Sequence, residues 1–436
     1  MAAADVLVLG AGIAGLSAAA RLAEAGRRAL VLEARDRIGG RIHTVIDPEL
    51  GCPIELGAEF VHGRPAELVE LIHRAGLGLV DVPARHQPGP GRASPFPDVR
   101  QSLASLVTEA AAPASRDRPV AELLDERRRH APEALELDAV AQYIESFHAA
   151  DLTRLGTRSL AQNEAAEDED GDQPHRVGKG YGELMRRMAD MLDPGLVEIR
   201  LEAVVSGIRW RPGEARVTWH TPDGKAGDAV AGAAIVTLPL PALQGDGGRG
   251  AIEIDPWPAG WRAPLAALHM GAAHHVVLGF DTRWWAPDES DGPVFVHGSG
   301  EPFRVWWTAL PSRAPLLTGW TGGPRAAALS GRGEGELLRL ALDSVASVFG
   351  RDRDELRARL RFAYSHDWSA DPYAGGAYSY GGVGAIGARA VLARPVRGTL
   401  VLAGEAMAEQ GRNATVHGAL ASGRGAAEAL LAGGQP

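Results

Sequence analysis

The feature that most constrains this chain is the glycine spacing near its start. Gly10-x-Gly12-x-x-Gly15 falls between an aliphatic run, Asp5–Leu9, and an Ala/Leu-rich run, Leu16–Ala25. A strand followed at once by a helix is expected, with Gly26 as the stop. A second apolar run, Ala29–Leu32, ends in Glu33. The period switches from strand to helix and back, which is a βαβ unit. In such a unit the first glycine permits a tight turn, the second lets the backbone approach a pyrophosphate, and the third lets helix and strand pack closely. The helix N-terminus then faces the phosphate charge. Glu33, about 20 residues on, can accept both ribose hydroxyls. These residues predict a dinucleotide site and leave FAD and NAD open.

The rest of the chain has to be organised around that unit. Its 436 residues suggest two or three domains, and 45% hydrophobic residues suffice for a large core. One cysteine, Cys52, excludes an internal disulfide and any cysteine-based metal cluster, and no metal site is expected. A net charge of -10 argues against a general nucleic-acid binder. The first apolar run has no basic flank and is interrupted by glycines, so neither a signal peptide nor a membrane span is expected. A soluble cytoplasmic protein, monomer or homodimer, is the expectation.

Residues 83–119 are punctuated by proline and read as an irregular excursion with one short helix near Ser102–Ala112. Helical stretches follow through Val120–Ala150. The acidic run Glu164 to Asp172 reads as a solvated loop. Strands are expected at Val197–Leu201, Val204–Trp210 and Ala215–His220, with Pro222-Asp223-Gly224 turning a hairpin, and at Ala233–Leu238. Eight of the ten tryptophans lie between 257 and 368, which predicts a second, mainly antiparallel sheet with an aromatic face. Leu400–Glu405 repeats the strand-into-glycine pattern, and Val416–Leu431 reads as a last helix.

The turn Arg35-Asp36-Arg37-Ile38-Gly39-Gly40-Arg41 decides between the cofactors, because with Glu33 before it the sequence resembles the flavin-containing amine oxidase superfamily. That family includes monoamine and polyamine oxidases, L-amino acid oxidases and the flavin-dependent histone demethylases. The resemblance implies that this turn holds the FAD pyrophosphate, with exposed N–H groups at Gly39 and Gly40 and the donor fork of Arg41. It continues in order along the chain. Glu55-Leu-Gly57-Ala58-Glu59-Phe-Val-His62-Gly63 is similar to the segment under the flavin ring. Gly178-Lys-Gly180-Tyr181 opens the second cofactor segment, Val205 meets the adenine, and Thr237-Leu238-Pro239 returns toward the FAD. The stretch from Trp368 through Tyr373 to Tyr378 and Tyr380 is close to the histone demethylase and polyamine oxidase pattern. Gly404 and Glu405 match the second FAD-contact turn, and Ala414-Thr415-Val416 the segment beside the flavin pyrimidine.

What this implies is an α/β fold: a discontinuous Rossmann-like FAD-binding domain (1–80, 178–255 and 386–436) plus an α+β substrate domain (81–177 and 256–385) with a mainly antiparallel sheet. The expected function is FAD-dependent amine oxidation. Hydride passes from the amine-bearing carbon to flavin N5, the imine hydrolyses, and O2 is reduced to H2O2. A polyamine or another primary or secondary amine is the favoured substrate. An L-amino acid oxidase, with Arg64 as carboxylate ligand, is one alternative. A desaturase- or dehydrogenase-type flavoenzyme with weak O2 reactivity is another, and a non-catalytic flavin-bound scaffold a third.

Three departures sharpen these expectations. Where monoamine oxidases carry the cysteine that attaches FAD, this chain has Ala377, so the FAD is expected to be non-covalent. Tyr378 matches one wall of the aromatic cage, while the second falls on Thr415. His62 occupies a position near the flavin where a titrating group can steer an amine. The third departure is His275, which stands where relatives place the lysine that holds a water against flavin N5. His274 beside it points to the opposite face of the strand. Only two lysines occur in the chain, Lys179 and Lys225, and neither sits where it could replace that residue.

Overall fold

Three short strands of unbroken aliphatic residues, Val6–Leu9, Ala29–Leu32 and Ala233–Val236, are buried along their whole lengths. Such runs suit a parallel sheet covered on both faces. In the computed structural model, which describes residues 4–90, 96–112, 115–130, 136–171, 173–245, 251–286 and 291–433, they form its centre. The order is Leu400–Leu402, Ala233–Val236, Val6–Leu9, Ala29–Leu32, Val197–Arg200, with every pair parallel. The first and last helices, Ile13–Glu24 and Val416–Gly433, pack against each other beside this sheet. The sheet thus draws strands from the beginning, middle and end of the chain.

A four-stranded sheet carries the predicted hairpin, with Glu214–His220 antiparallel to both Val204–Arg211 and Ala226–Ala231. The larger second sheet has six strands in the order Leu360–Ser365, Ala273–Phe280, Leu316–Gly322, Val305–Thr308, Phe295–His297, His86–Pro88. All its pairs are antiparallel except the last. On one face Trp284, Trp285 and Trp306 pack with Leu317 and the helix Glu334–Phe349. The expected aromatic face is therefore mostly core. The mixed α/β class and the mainly antiparallel second sheet are as the sequence predicts.

A helical layer covers one end of this sheet and departs from expectation. The short helix extends over Phe96–Ala111, and the 120–150 region divides into Val120–His130 and Glu136–Phe147. The acidic run is not a loop, for it completes the helix Thr157–Asp170. Leu160, Ala161 and Ala166 bury one side of that helix, so the carboxylates ride on a frame set by apolar neighbours. Several of them are engaged: Glu164 meets His148 at 2.9 Å, Glu169 meets Arg412 at 3.4 Å, and Asp170 meets Arg412 and His417 at 3.1 and 3.3 Å. Asp172, Pro95 and Pro113 lie outside the described residues.

Candidate active site

The glycine turn does what its spacing requires. Gly10 sits at φ +104°, and a Cβ on Gly15 would stand 1.9 Å from the Gly10 carbonyl oxygen. Gly15 therefore lets the helix lean on the turn and does not face the cavity described below. Gly12 is different: a Cβ there would meet nothing closer than the Gly39 carbonyl oxygen at 3.9 Å, so its open side faces empty space. Glu33 closes the turn by accepting the N–H groups of Ala11 (2.7 Å) and Arg35 (3.0 Å), one on each oxygen. A second lone pair on each oxygen remains for a ligand.

These groups open into a cavity of about 1030 Å³. That is just beyond the roughly 300–1,000 Å³ of a small-molecule site, and so suits a dinucleotide and a second molecule together. Its walls include every sequence-predicted site residue except Gly15 and Arg64. Around Gly10, Gly12, Glu33, Arg35, Gly39, Gly40 and Val205 it is a backbone-lined trough, flanked by Trp368, Tyr373 and Gly404. Gly57, Ala58 and Glu59 lead from there to His62, His275 and Tyr378, with Ala414, Thr415 and Val416 opposite in sequence and on the same cavity.

Several predicted ligands are already engaged within the protein. The Arg35 guanidinium forms a bidentate pair with Asp371 at 2.7 and 3.0 Å and lies over the rings of Trp368 and Tyr373. Hydrogen bonds from His366 and Arg35 to Asp371 outweigh burial and hold its carboxyl below the usual range. Arg41 spends one nitrogen on the Ala377 carbonyl (2.9 Å) and Glu405 (2.7 Å). Burial would raise Glu405, but Arg41 and the hydroxyl and N–H of Ser379 keep it lowered. Glu405 also accepts the Ala414 N–H at 3.0 Å, so one buried carboxylate fixes three cavity segments. Glu59 is not a free acid, because it is tied to Arg176 at 2.6 Å and to the Trp307 indole N–H at 3.1 Å. Arg176 in turn lies 4.7 Å from the Phe60 ring centroid.

Among the candidate reacting groups, the strand register separates the two histidines as expected. His274 is turned away and bonds Ser365 Oγ at 2.9 Å. His275 lines the cavity with its Nε2 buried and without a partner. Burial lowers its pKa, so the ring is neutral near pH 7. Burial likewise lowers His62, whose ring stands 5.9 Å from Phe147. Tyr378 donates its hydroxyl to the Phe147 carbonyl at 2.9 Å, which fixes the ring orientation, and burial raises its pKa further from neutrality. Thr415 gives its hydroxyl to the Arg412 carbonyl (2.7 Å) and accepts the Gly418 N–H (2.9 Å). It caps the last helix, and its hydroxyl proton is committed to the Arg412 carbonyl.

The rest of the wall was not read from the sequence. Gln142, Tyr143, Ser146 and Phe147 come from one side of the helix Glu136–Phe147, with Tyr143 and Phe147 stacked at 5.3 Å. Phe295, Arg304, Val305, Trp307 and Trp320 come from the second sheet. No short motif carries them, since neighbours in the cavity are remote in the chain. Arg64, the candidate carboxylate ligand of the L-amino acid oxidase alternative, is exposed and does not line the cavity. Its side chain follows the tight Gly63 turn, whose backbone is pressed against Asp170 and Gly171.

The residues present fit a flavin dinucleotide: an open Gly12 side, a terminal carboxylate, and on the same cavity the unpartnered buried nitrogen of His275. The comparisons agree. Residues 13–431 match the family of flavin containing amine oxidoreductases, and this chain belongs to that family. Polyamine oxidase 4 of Oryza sativa subsp. japonica is 28% identical over 458 residues, covering 97% of this chain and 88% of that protein. Lysine-specific histone demethylase 1B of Mus musculus is 27% identical, covering 92% of this chain but 50% of the longer protein. A putrescine oxidase bound to putrescine superposes with a TM-score of 0.79 at 20% identity, covering 98% of this chain and 99% of that one. Cyclohexylamine oxidase from Brevibacterium oxydans IH-35A gives 0.79 at 22%, covering 98% of each. The chain is a flavin-dependent oxidoreductase of the amine oxidase type. No described helix is long and apolar enough to cross a membrane.

Proposed function

We propose that this protein binds FAD non-covalently and oxidises a primary or secondary amine at the carbon bearing the nitrogen. The observation that carries this reading is that Gly12, Glu33, His275, Tyr378 and Phe147 line one and the same cavity. When bound, the flavin supplies the two-electron acceptor and passes electrons on to oxygen. The chain supplies position and environment. Tyr378, held by the Phe147 carbonyl, and the stacked Tyr143 and Phe147 bound a water-poor space in which an amine loses its hydration. His62, held neutral by burial before the amine arrives, is the base that takes a proton from an ammonium at its ring nitrogen, leaving the amine lone pair free. His275 directs its neutral imidazole at a water rather than offering a permanent charge. Ala377 at the family's attachment position supports the non-covalent mode.

The reading is tested by mixing the flavin-loaded protein anaerobically with polyamines, diamines, monoamines and L-amino acids while following the visible flavin band. Bleaching by at least one amine is expected. A band untouched by every amine would leave the desaturase or the scaffold reading in its place. Denaturant should release the flavin to the supernatant as FAD, and a yellow pellet would contradict the non-covalent mode.

A further inference from the structure

The charges on the cavity wall point to a substrate feature beyond the amine. Every described carboxylate facing the cavity has a partner. Glu33 accepts two backbone N–H groups, Glu59 is held by Arg176, Asp170 by Arg412, Asp371 by Arg35 and Glu405 by Arg41, and Glu167 is also engaged. Glu33 apart, whose partners are neutral and which belongs to the nucleotide trough, a second ammonium, as in a diamine, finds no free acid there.

The uncompensated charge is positive. Arg304 is 9% exposed and lines the cavity, yet it forms no ion pair among the described residues. Its Nη1 donates to Gln142 Oε1 at 2.8 Å, and its Nε is buried with no partner. A guanidinium does not deprotonate in a protein, so the buried charge persists and is costly until an anion meets it. Carboxylates match its planar donor fork. Gln142 accepts from Arg304 through its oxygen, and its amide nitrogen makes no bond among the described residues, so it adds a neutral donor beside the fork.

Register places this pair relative to the reacting end. His275 lies directly opposite Trp320, and Trp320 directly opposite Val305, and all three line the cavity. Two strand spacings separate His275 from Val305, roughly 10 Å, and Arg304 is the next residue. Tyr143 and Phe147 bridge the interval along the facing helix.

We propose that Arg304 and Gln142 form a distal carboxylate subsite, so that the amine oxidised is an ω-amino acid, with its carboxylate at the end opposite the reacting nitrogen. This rests on the amine-oxidation reading above. The test compares ε-aminocaproate, hexamethylenediamine and hexylamine, which share one chain length, as anaerobic flavin reductants. It also titrates hexanoate, which has no amine, by perturbation of the flavin spectrum and by shift of Tm. Wild type should prefer ε-aminocaproate. Arg304→Gln should raise its apparent KM about tenfold or more with little change in kcat, leave hexylamine within about twofold, and abolish the hexanoate signal. Arg304→Lys should recover part of the preference. The proposal is overturned if wild type prefers the diamine, if R304Q leaves the preference intact, or if hexanoate binds equally to both proteins. Should hexanoate binding depend on Arg304 while no amine bleaches the flavin, the subsite stands and the amine-oxidase reading falls. Should R304Q fail to fold, the wild-type ranking and hexanoate titration still decide the matter.

Discussion

On the proposed function, His275 is the side chain that bears on how the reduced enzyme meets oxygen. A lysine there would present a charge to a bound water, whereas the buried imidazole is neutral at physiological pH. Re-oxidation of chemically reduced protein in air should be slow, and His275→Lys should accelerate it at least tenfold, about 1.4 kcal/mol of barrier. Equal rates in the two proteins would remove His275 from the oxygen step. Because burial lowers its pKa, the wild-type rate should be flat from about pH 6.5 upward. A titration centred inside that range would show a charged imidazole instead. Residue by residue, legibility followed locality. Strand alternation alone predicts that one of His274 and His275 reaches the cavity, and the structure turns His275 inward. Arg304 could not be found in the same way. Its significance lies in having no acidic neighbour, and sequence records neighbours along the chain only.

Among the elements, the last helix shows how a site residue can serve the scaffold. Thr415 bonds forward to the Gly418 N–H and so satisfies one of the helix's unpaired donors. Thr415→Ala should cost about 1 kcal/mol in denaturant unfolding, while Thr415→Ser should keep most of it. An alanine variant as stable as wild type would show that the cap is dispensable. The first helix makes the stronger demand. Its Gly15 stands against the Gly10 carbonyl with no room for a methyl group. Gly15→Ala should force helix from strand, cost roughly 1–3 kcal/mol and reduce the flavin bound per protein. Undiminished flavin content would contradict the close-packing role. Both helices were legible because glycine spacing and apolar runs are local chemistry, whereas the Thr415 cap emerged only in the structure. The 157–170 helix was misread because its charge density suggested solvent, while Leu160, Ala161 and Ala166 gave it a buried side.

Across the whole molecule, buried histidines govern the response to acid. Burial holds His43, His269, His274 and His417 down to about 4 and His297 to about 3, and lowers His62 and His275 as well. The unfolded chain would protonate these rings near 6.5, so it binds more protons than the fold between there and about 4. Stability is therefore complete above the unfolded value and is lost as pH falls through this window. Glu55, raised to about 7 by burial, and Glu33, also raised, act in the opposite direction but are fewer. The Tm of flavin-free protein should fall between pH 7 and pH 5, and a constant or rising Tm would contradict this balance. At this scale the parallel sheet was legible, since four of its five strands are continuous apolar runs. The join between trough and aromatic pocket was not, because it depends on how the second sheet and the 136–147 helix meet.

The central claim is that this join brings the carbon beside an amine nitrogen to a two-electron acceptor. It is tested most directly by one anaerobic turnover, with limiting amine added to the oxidised flavoprotein and the carbonyl product counted against flavin bleached. One aldehyde or ketone per flavin is the predicted result. Bleaching without a carbonyl product, or no bleaching by any amine, would contradict it.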